Sequence, residues 1–442
     1  MKYRSLRGME GGEVYRFTSS LRHDAAMARH IASIVIAHLQ ELNEIGVVSD
    51  AGLKELVKAV IEVSCNPPKE GYEDLWEAIE DYMVKRHRDG LWYPLGRSRN
   101  DQVAAALRLY VAHRITVIAG KAARAAVSVL ESPAASNPSP IVGFTHGEPA
   151  YIIDSRCLAA AYAHTLIILS KLLLDSALHA LEESPLGAAA GAGTLAPIDE
   201  RRLASKLGFR SVYRSPYHAV SYRGFIARAS TSLSLLCVEA SRIAEDIIQL
   251  HHLRLIKLPK GHLATSSIMA HKENPVTLEI VRALSSECVS KSLTPLLILL
   301  KQRYSYNLDL QEVNRSFSEI ADTAETVVEV MSSILRSLKV DPKAVEGLAG
   351  RIKPYSAEEV EYISLSEGKP ARLAYAEVAR RGVLRRWSPE EVLNLRRTGC
   401  NRERSESMVN SLKLEARRVE SEALKLTGDL ESRLPKCGSS RS

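Results

Sequence analysis

Four stretches of long helical pattern decide what this 442-residue chain can fold into. They run over 101–130, 151–181, 224–256 and 275–301. Each is roughly 25–33 residues, or about 40–50 Å of helix at 1.5 Å per residue. Rods of that length exceed the usual globular helix and need one another to be stable. The second carries Cys157-Leu158-Ala159-Ala160-Ala161-Tyr162-Ala163 and then Leu166-Ile167-Ile168-Leu169, apolar almost all round, which is the pattern of a helix buried on every side. A membrane span would satisfy the same pattern, but Asp154, Arg156, Lys171 and Asp175 argue against it. Aromatic residues are only 5% and alanine- and leucine-rich runs recur, which favours helix over sandwich or barrel. The expectation is an all-α chain built on a central long-helix bundle, with a face reserved for other subunits.

Between the rods lie loops rich in Pro, Gly and Ser, at 93–100, 131–150, 183–197 and 257–274, and these hold nearly all the chemically unusual residues. The chain divides into a small, more charged N-terminal helical domain (1–97), the bundle (98–340), and a small C-terminal domain (341–442) of shorter helices with many Arg and Glu. The tail, 436–442, reads as disordered. Lys and Arg number 59 against 52 Asp and Glu, a net +7 that suits either nucleic acid or small anionic substrates. The positives are scattered through the helices and not interleaved with aromatics, so nucleic-acid binding is the minor reading. The six cysteines (65, 157, 237, 288, 400 and 437) never approach the spacing of a zinc knuckle or redox pair, so no metal site is expected. Four of them, in apolar or alanine-rich context, read as buried thiols of a reducing compartment. The start, Met1-Lys2-Tyr3-Arg4, leads into glycines and charges, so no signal peptide and a cytoplasmic location are expected. Only 5 Gln and 10 Asn accompany the many Arg and Glu, which points to a heat-adapted source.

Three loops carry candidate chemistry. Gly96-Arg97-Ser98-Arg99-Asn100-Asp101 precedes the first rod. It reads either as a helix cap or as an anion site, because two arginines, a hydroxyl and an amide beside the positive end of a helix suit a carboxylate. Gly143-Phe144-Thr145-His146-Gly147-Glu148-Pro149 sets a histidine, the side chain most easily tuned to move a proton near neutral pH, beside a hydroxyl able to orient a carboxylate. Thr265-Ser266-Ser267-Ile268-Met269-Ala270-His271-Lys272-Glu273-Asn274-Pro275 offers a serine as nucleophile or base beside a lysine and an asparagine, with Glu279 just beyond. A fourth segment, Tyr306-Asn307-Leu308-Asp309-Leu310-Gln311-Glu312, reads in isolation as a polar turn opening a helix.

Taken in order, GRSRND, GFTH, the run Pro185 to Thr194 (PLGAAAGAGT), SSIMxxKxNP and YNxDLQE resemble argininosuccinate lyase, within the fumarase and aspartase superfamily. Phe17-Thr18-Ser19-Ser20 with Asp24 resembles that family's N-terminal substrate segment. The stretch from Ala357 through Tyr362, Gly368, Pro370 and Arg372 to Tyr375 is similar to its final domain. The resemblance implies a reversible β-elimination without metal or organic cofactor, releasing fumarate from a nitrogen leaving group. It implies Ser266 as general base, His146 as catalytic histidine and Glu279 as the carboxylate that orients it. Ser98, Arg99, Asn100, Thr145, Lys272 and Asn274 would contact substrate, and Ser20, Asp24, Arg223, Tyr306 and Gln311 match as well. A homotetramer follows, each active site being shared between subunits, with no membrane or nucleic-acid partner. An ordinary serine is a poor base, so cationic and backbone donors must lower its effective pKa.

The departures fall on the periphery. Pro94 and Leu95 stand for a histidine and threonine, Glu148 for a glutamine, Ala270 and His271 for a proline and glutamine, and Glu273 for a lysine. Asn314 stands for a lysine, Trp76 for a histidine, and His218 and Tyr222 for aspartates. THGEPA and His271-Lys272 resemble adenylosuccinate lyase, the runner-up, although GRSRNDQ and DLQE are not its motifs. A catalytically silent structural relative is the reading from another class. The joint presence of Ser266, His146, Lys272, Asn274 and Glu279 argues against it, since a scaffold needs none of them.

Overall fold

A computed structural model describes residues 12–437; the charged start and 438–442 lie outside the described residues. The fold is all-α, with four two-stranded strand pairs attached. Ala28–Glu44 (α1), Asp50–Cys65 (α2) and Leu75–Arg86 (α3) pack together near the N-terminus. The bundle is made by Arg99–Leu130 (α4), Ser155–Ala180 (α5), Gly224–His252 (α6), Val276–Leu299 (α7) and Leu310–Arg336 (α8). Helix Arg402–Ser432 (α9) returns to lie against α4 and α5.

The start of α4 shows why the chain turns helical where it does. The Ser98 hydroxyl accepts from the Asn100 amide at 3.3 Å, and the Ser98 amide donates to the Asp101 carboxylate at 3.0 Å, a capping box. Alanines then dominate the buried face of α4, among them Ala105, Ala112, Ala119 and Ala126, and their small side chains let α5 approach closely. Each fully buried Leu or Ile of the two helices, such as Ile115 on α4 or Leu173 on α5, contributes about 1.5–3 kcal/mol relative to exposure. By length and composition α4 and α5 are apolar enough to cross a membrane, yet 72% and 56% of their most apolar windows are buried inside the fold. On α7 the apolar side chains Ile280, Leu293, Leu296 and Leu297 are instead exposed.

Three expectations change. The second rod begins at Ser155, because Pro140–Thr145 (β1) and Glu148–Asp154 (β2) form an antiparallel hairpin where a loop and a helix start were expected. The C-terminal segment is not only short helices. α9 runs 31 residues, held by Val409, Leu412, Ala416, Val419, Ala423, Leu426 and Leu430, a heptad stripe diluted among Arg and Glu. Third, only Cys237 and Cys288 are buried thiols, whereas Cys65–Cys437 and Cys157–Cys400 are disulfides with Cα atoms 5.5 and 5.7 Å apart. The first anchors Cys437, inside the tail read as disordered, to the end of α2. Thiol titration of the denatured, unreduced protein should therefore give two thiols per chain, rising to six after reduction. Six before reduction would show that neither disulfide forms.

Candidate functional site

The first half of the site is a cavity of about 190 Å³ among the N-terminal helices and the starts of α4 and α8. It gathers Ser20, Asp24, Arg99, Asn100, Tyr306 and Gln311, six residues nominated from sequence. Asp24 is 7% exposed and accepts from the Ser20 hydroxyl at 2.9 Å and the Leu75 amide at 3.0 Å. Burial, and then the charge of Asp74, push its carboxyl up to about 7. Arg99 pairs with Asp74 at 2.5 Å, and the amide of Gln311 donates to the Thr18 carbonyl at 3.1 Å. Asp74 was not nominated: an aspartate at a helix start reads as a cap, which it is, accepting from the Glu77 amide at 2.7 Å. It also lines the cavity, as do Trp76 and Asn314. Ser98 sits beside the cavity with its side chain engaged in the cap of α4.

The second half is carried on two loops. His146 and Gly147 form the two-residue turn of the β1–β2 hairpin, with Thr145 facing Glu148. Both turn residues have positive φ, 53° and 81°, the conformation that a twisted two-residue hairpin requires. That backbone lifts His146 and Thr145 to the exposed tip. Ser266 lies between the short strands Ala264–Thr265 (β3) and Glu273–Asn274 (β4). Its oxygen accepts from the Met269 amide at 3.1 Å, a backbone donor of the kind a serine base needs. Ser266 and Asn274 are half-buried, while Lys272 and Glu279, the latter in the first turn of α7, are exposed.

Both loops are tied to the C-terminal end of α6. Gln249 donates to the Gly147 carbonyl at 3.3 Å, and Arg254, just past the helix, pairs with Glu273 at 3.4 Å. Arg223 caps the other end of α6, 1% exposed, and acts electrostatically on Tyr306 of the cavity. From Arg223 to Gln249 the helix spans about 40 Å at 1.5 Å per residue. One chain thus holds the two halves apart. Among the described residues no hydrogen bond or ion pair joins His146 to Glu279, and no cluster of three His, Cys, Asp or Glu is placed to hold a metal.

A family model described as Lyase matches residues 13–289. The argininosuccinate lyase of Pyrobaculum calidifontis is 34% identical over 405 residues, covering 88% of this chain and 92% of the relative. That of Sulfurisphaera tokodaii is 33% identical over 382 residues, covering 84% and 82%. The chain belongs to the argininosuccinate lyase family. With that membership it is a carbon–nitrogen lyase. Solved structures agree on the fold. An EDDS lyase variant with bound fumarate superposes with a TM-score of 0.78 at 17% identity, covering 92% of this chain and 90% of its own. A class II fumarase from Schistosoma mansoni gives 0.69 at 14%, covering 88% and 91%.

The raised carboxyl of Asp24 has a consequence for stability. The folded carboxyl keeps its proton to about pH 7, whereas the unfolded one releases it near pH 4, so this group's contribution to stability falls as pH rises between the two. Asp24→Asn should therefore gain in thermal midpoint relative to the parent on going from pH 5 to pH 8. A difference independent of pH would contradict the assignment.

Proposed function

We propose that the protein is an argininosuccinate lyase that splits argininosuccinate reversibly into arginine and fumarate. The observation that carries this reading is the 34% identity over 88% of the chain to a relative of that name. The cavity is chemically suited to the substrate: the carboxyl groups of Asp24 and Asp74 line it, and Arg99 and Asn100 lie at the positive end of α4.

Ser266 removes the proton from the carbon beside a substrate carboxylate, and the electron pair is held on that carboxylate as an aci-carboxylate. Lys272 and Asn274 steady the anion. The pair then returns to form the carbon–carbon double bond as the carbon–nitrogen bond breaks, and the departing nitrogen takes a proton through His146, oriented by Glu279. Thr145 and Ser98 position the substrate. Neither a metal nor an organic cofactor takes part in this scheme.

The two halves of the site, separated by the length of α6, support a homotetramer in which loops of one subunit meet the cavity of another. The exposed apolar side chains of α7 support the same assembly, since such a patch on a bundle helix is covered by a second copy. The cytoplasm is the proposed location.

Fumarate release, followed by ultraviolet absorbance with argininosuccinate and adenylosuccinate offered separately, tests the reading. Release from argininosuccinate alone is expected. Release from adenylosuccinate alone would keep the elimination and overturn the substrate, and release from neither would leave a silent relative. Ser266→Ala should lose turnover by about three orders of magnitude or more, as expected when a group acting in the transition state is removed, with the tetramer intact by light scattering. Near-normal turnover would remove serine from the base role.

A further inference from the structure

Asp101 does more than cap α4. It is 1% exposed, and each of its carboxylate oxygens has a separate task. Oδ1 accepts from the Ser98 amide at 3.0 Å and closes the capping box. Oδ2 accepts from the amides of Gly187 and Ala189 at 3.3 and 3.0 Å, 86 and 88 residues away along the chain. A cap exposed to water would serve the helix as well. Burial instead pushes the Asp101 carboxyl up to about 7, a cost to folding near neutral pH.

The two amides belong to the glycine-rich run from Pro185 to Thr194, and both residues are left-handed, Gly187 at φ 96° and Ala189 at φ 49°. Left-handed residues within a turn aim neighbouring N–H groups at one anion. Here the chain supplies that anion itself. Ala189 holds a conformation that a residue with a Cβ resists, so contacts from outside the loop hold it there. Gly187 admits no side chain, because a Cβ would come within 2.5 Å of Cγ of Glu200. The same loop runs on to Ala196 and Ile198, which close on Gly96: a Cβ there would stand 3.0 Å from Cβ of Ala196 and 2.8 Å from Cγ1 of Ile198. The turn from Gly96 to Asp101 is thus held at both ends by one loop. Between those ends lie Ser98 and the two cavity residues Arg99 and Asn100.

We propose that Asp101 is a positioning residue for substrate binding: it locks the turn that carries Ser98, Arg99 and Asn100 to the glycine-rich loop, so that the cavity meets its ligand already shaped. The inference rests on the proposed lyase reading and extends it to residues that do not line the cavity. Asp101 acts through the Ser98 backbone and the first turn of α4, and the loop acts through Asp101. Such preorganisation shows in binding more than in the chemical step, since Ser266 and His146 stand on other loops.

The test compares Asp101→Asn, Gly187→Ala and the double variant in the assembled enzyme, with argininosuccinate as substrate. Asn keeps the size of the side chain but has a single acceptor oxygen, so it serves the cap or the loop and not both. Ala at position 187 meets Glu200 and moves the loop amides off Oδ2, leaving the capping box in place. Each single variant should raise KM about tenfold with kcat within about twofold, and the double variant should be no worse than the poorer single one, because both break one lock. A mere loss of folded protein would lower the apparent kcat and leave KM alone. Amide exchange gives a readout free of activity: in Gly187→Ala the peptide covering 96–103 should exchange faster than in the wild type. Wild-type KM in Asp101→Asn, additive effects in the double variant, or unchanged KM or exchange in Gly187→Ala would each overturn the proposal. If Asp101→Asn fails to assemble, Gly187→Ala alone decides it. Turnover by the wild type separates the two failures. Fumarate release with unmoved KM and exchange in the variants defeats only the lock, whereas faster exchange in Gly187→Ala without any wild-type turnover upholds the lock and defeats the lyase reading.

Discussion

The stiffness of α6 is the constraint on which the rest of the structure depends. A 29-residue helix cannot bring its own ends together, and the two groups of proposed site residues lie near its opposite ends. At the N-terminal end the buried Arg223 acts electrostatically on Tyr306, which lines the cavity with Asp24 and Arg99. At the C-terminal end Gln249 and Arg254 hold the His146 hairpin and the Ser266 loop. Both parts can meet in one place only if chains associate. Long rods thus serve two purposes: they bury a core against one another, and they fix how far apart the proposed site residues lie within one chain.

Burial of charge is the second theme. Asp24 and Asp74 both line the cavity, Asp74 paired with Arg99, and burial and the charge of Asp74 push the carboxyl of Asp24 up to about 7. Arg108 and Arg223 are also buried, each keeping guanidinium nitrogens without a partner.

How much of this was legible in the sequence follows from the range of each signal. The four rods and the all-α class were readable because helical periodicity is local and repeated over many turns. Six residues of the cavity could be nominated from motifs, although they come from three separate stretches of chain. The hairpin was missed even though His146-Gly147 is a turn pair with positive φ, because the apolar run after it reads as helix as easily as strand. α9 was underestimated because its stripe is only a and d of each heptad. The disulfides join residues 372 and 243 positions apart, and no spacing rule reaches that far. They also suit the heat-adapted reading, since intracellular proteins of hyperthermophiles are an exception to the rule that reducing compartments keep thiols free. Asp74 was hidden by doing two things at once, capping α3 and lining the cavity.

The most direct test of the central claim is to mix two inactive variants. Ser266→Ala damages the loop at one end of α6, and Asn100→Leu damages the cavity at the other. If each site draws these residues from different subunits, unfolding and co-refolding the two together creates some sites in which both residues are native, and fumarate release should return to roughly a quarter of wild type or less, each variant alone staying silent. If the mixture stays as silent as its components although mixed tetramers are demonstrated by mass, the two half-sites belong to one subunit, and the account of α6 as the spacer between them is wrong.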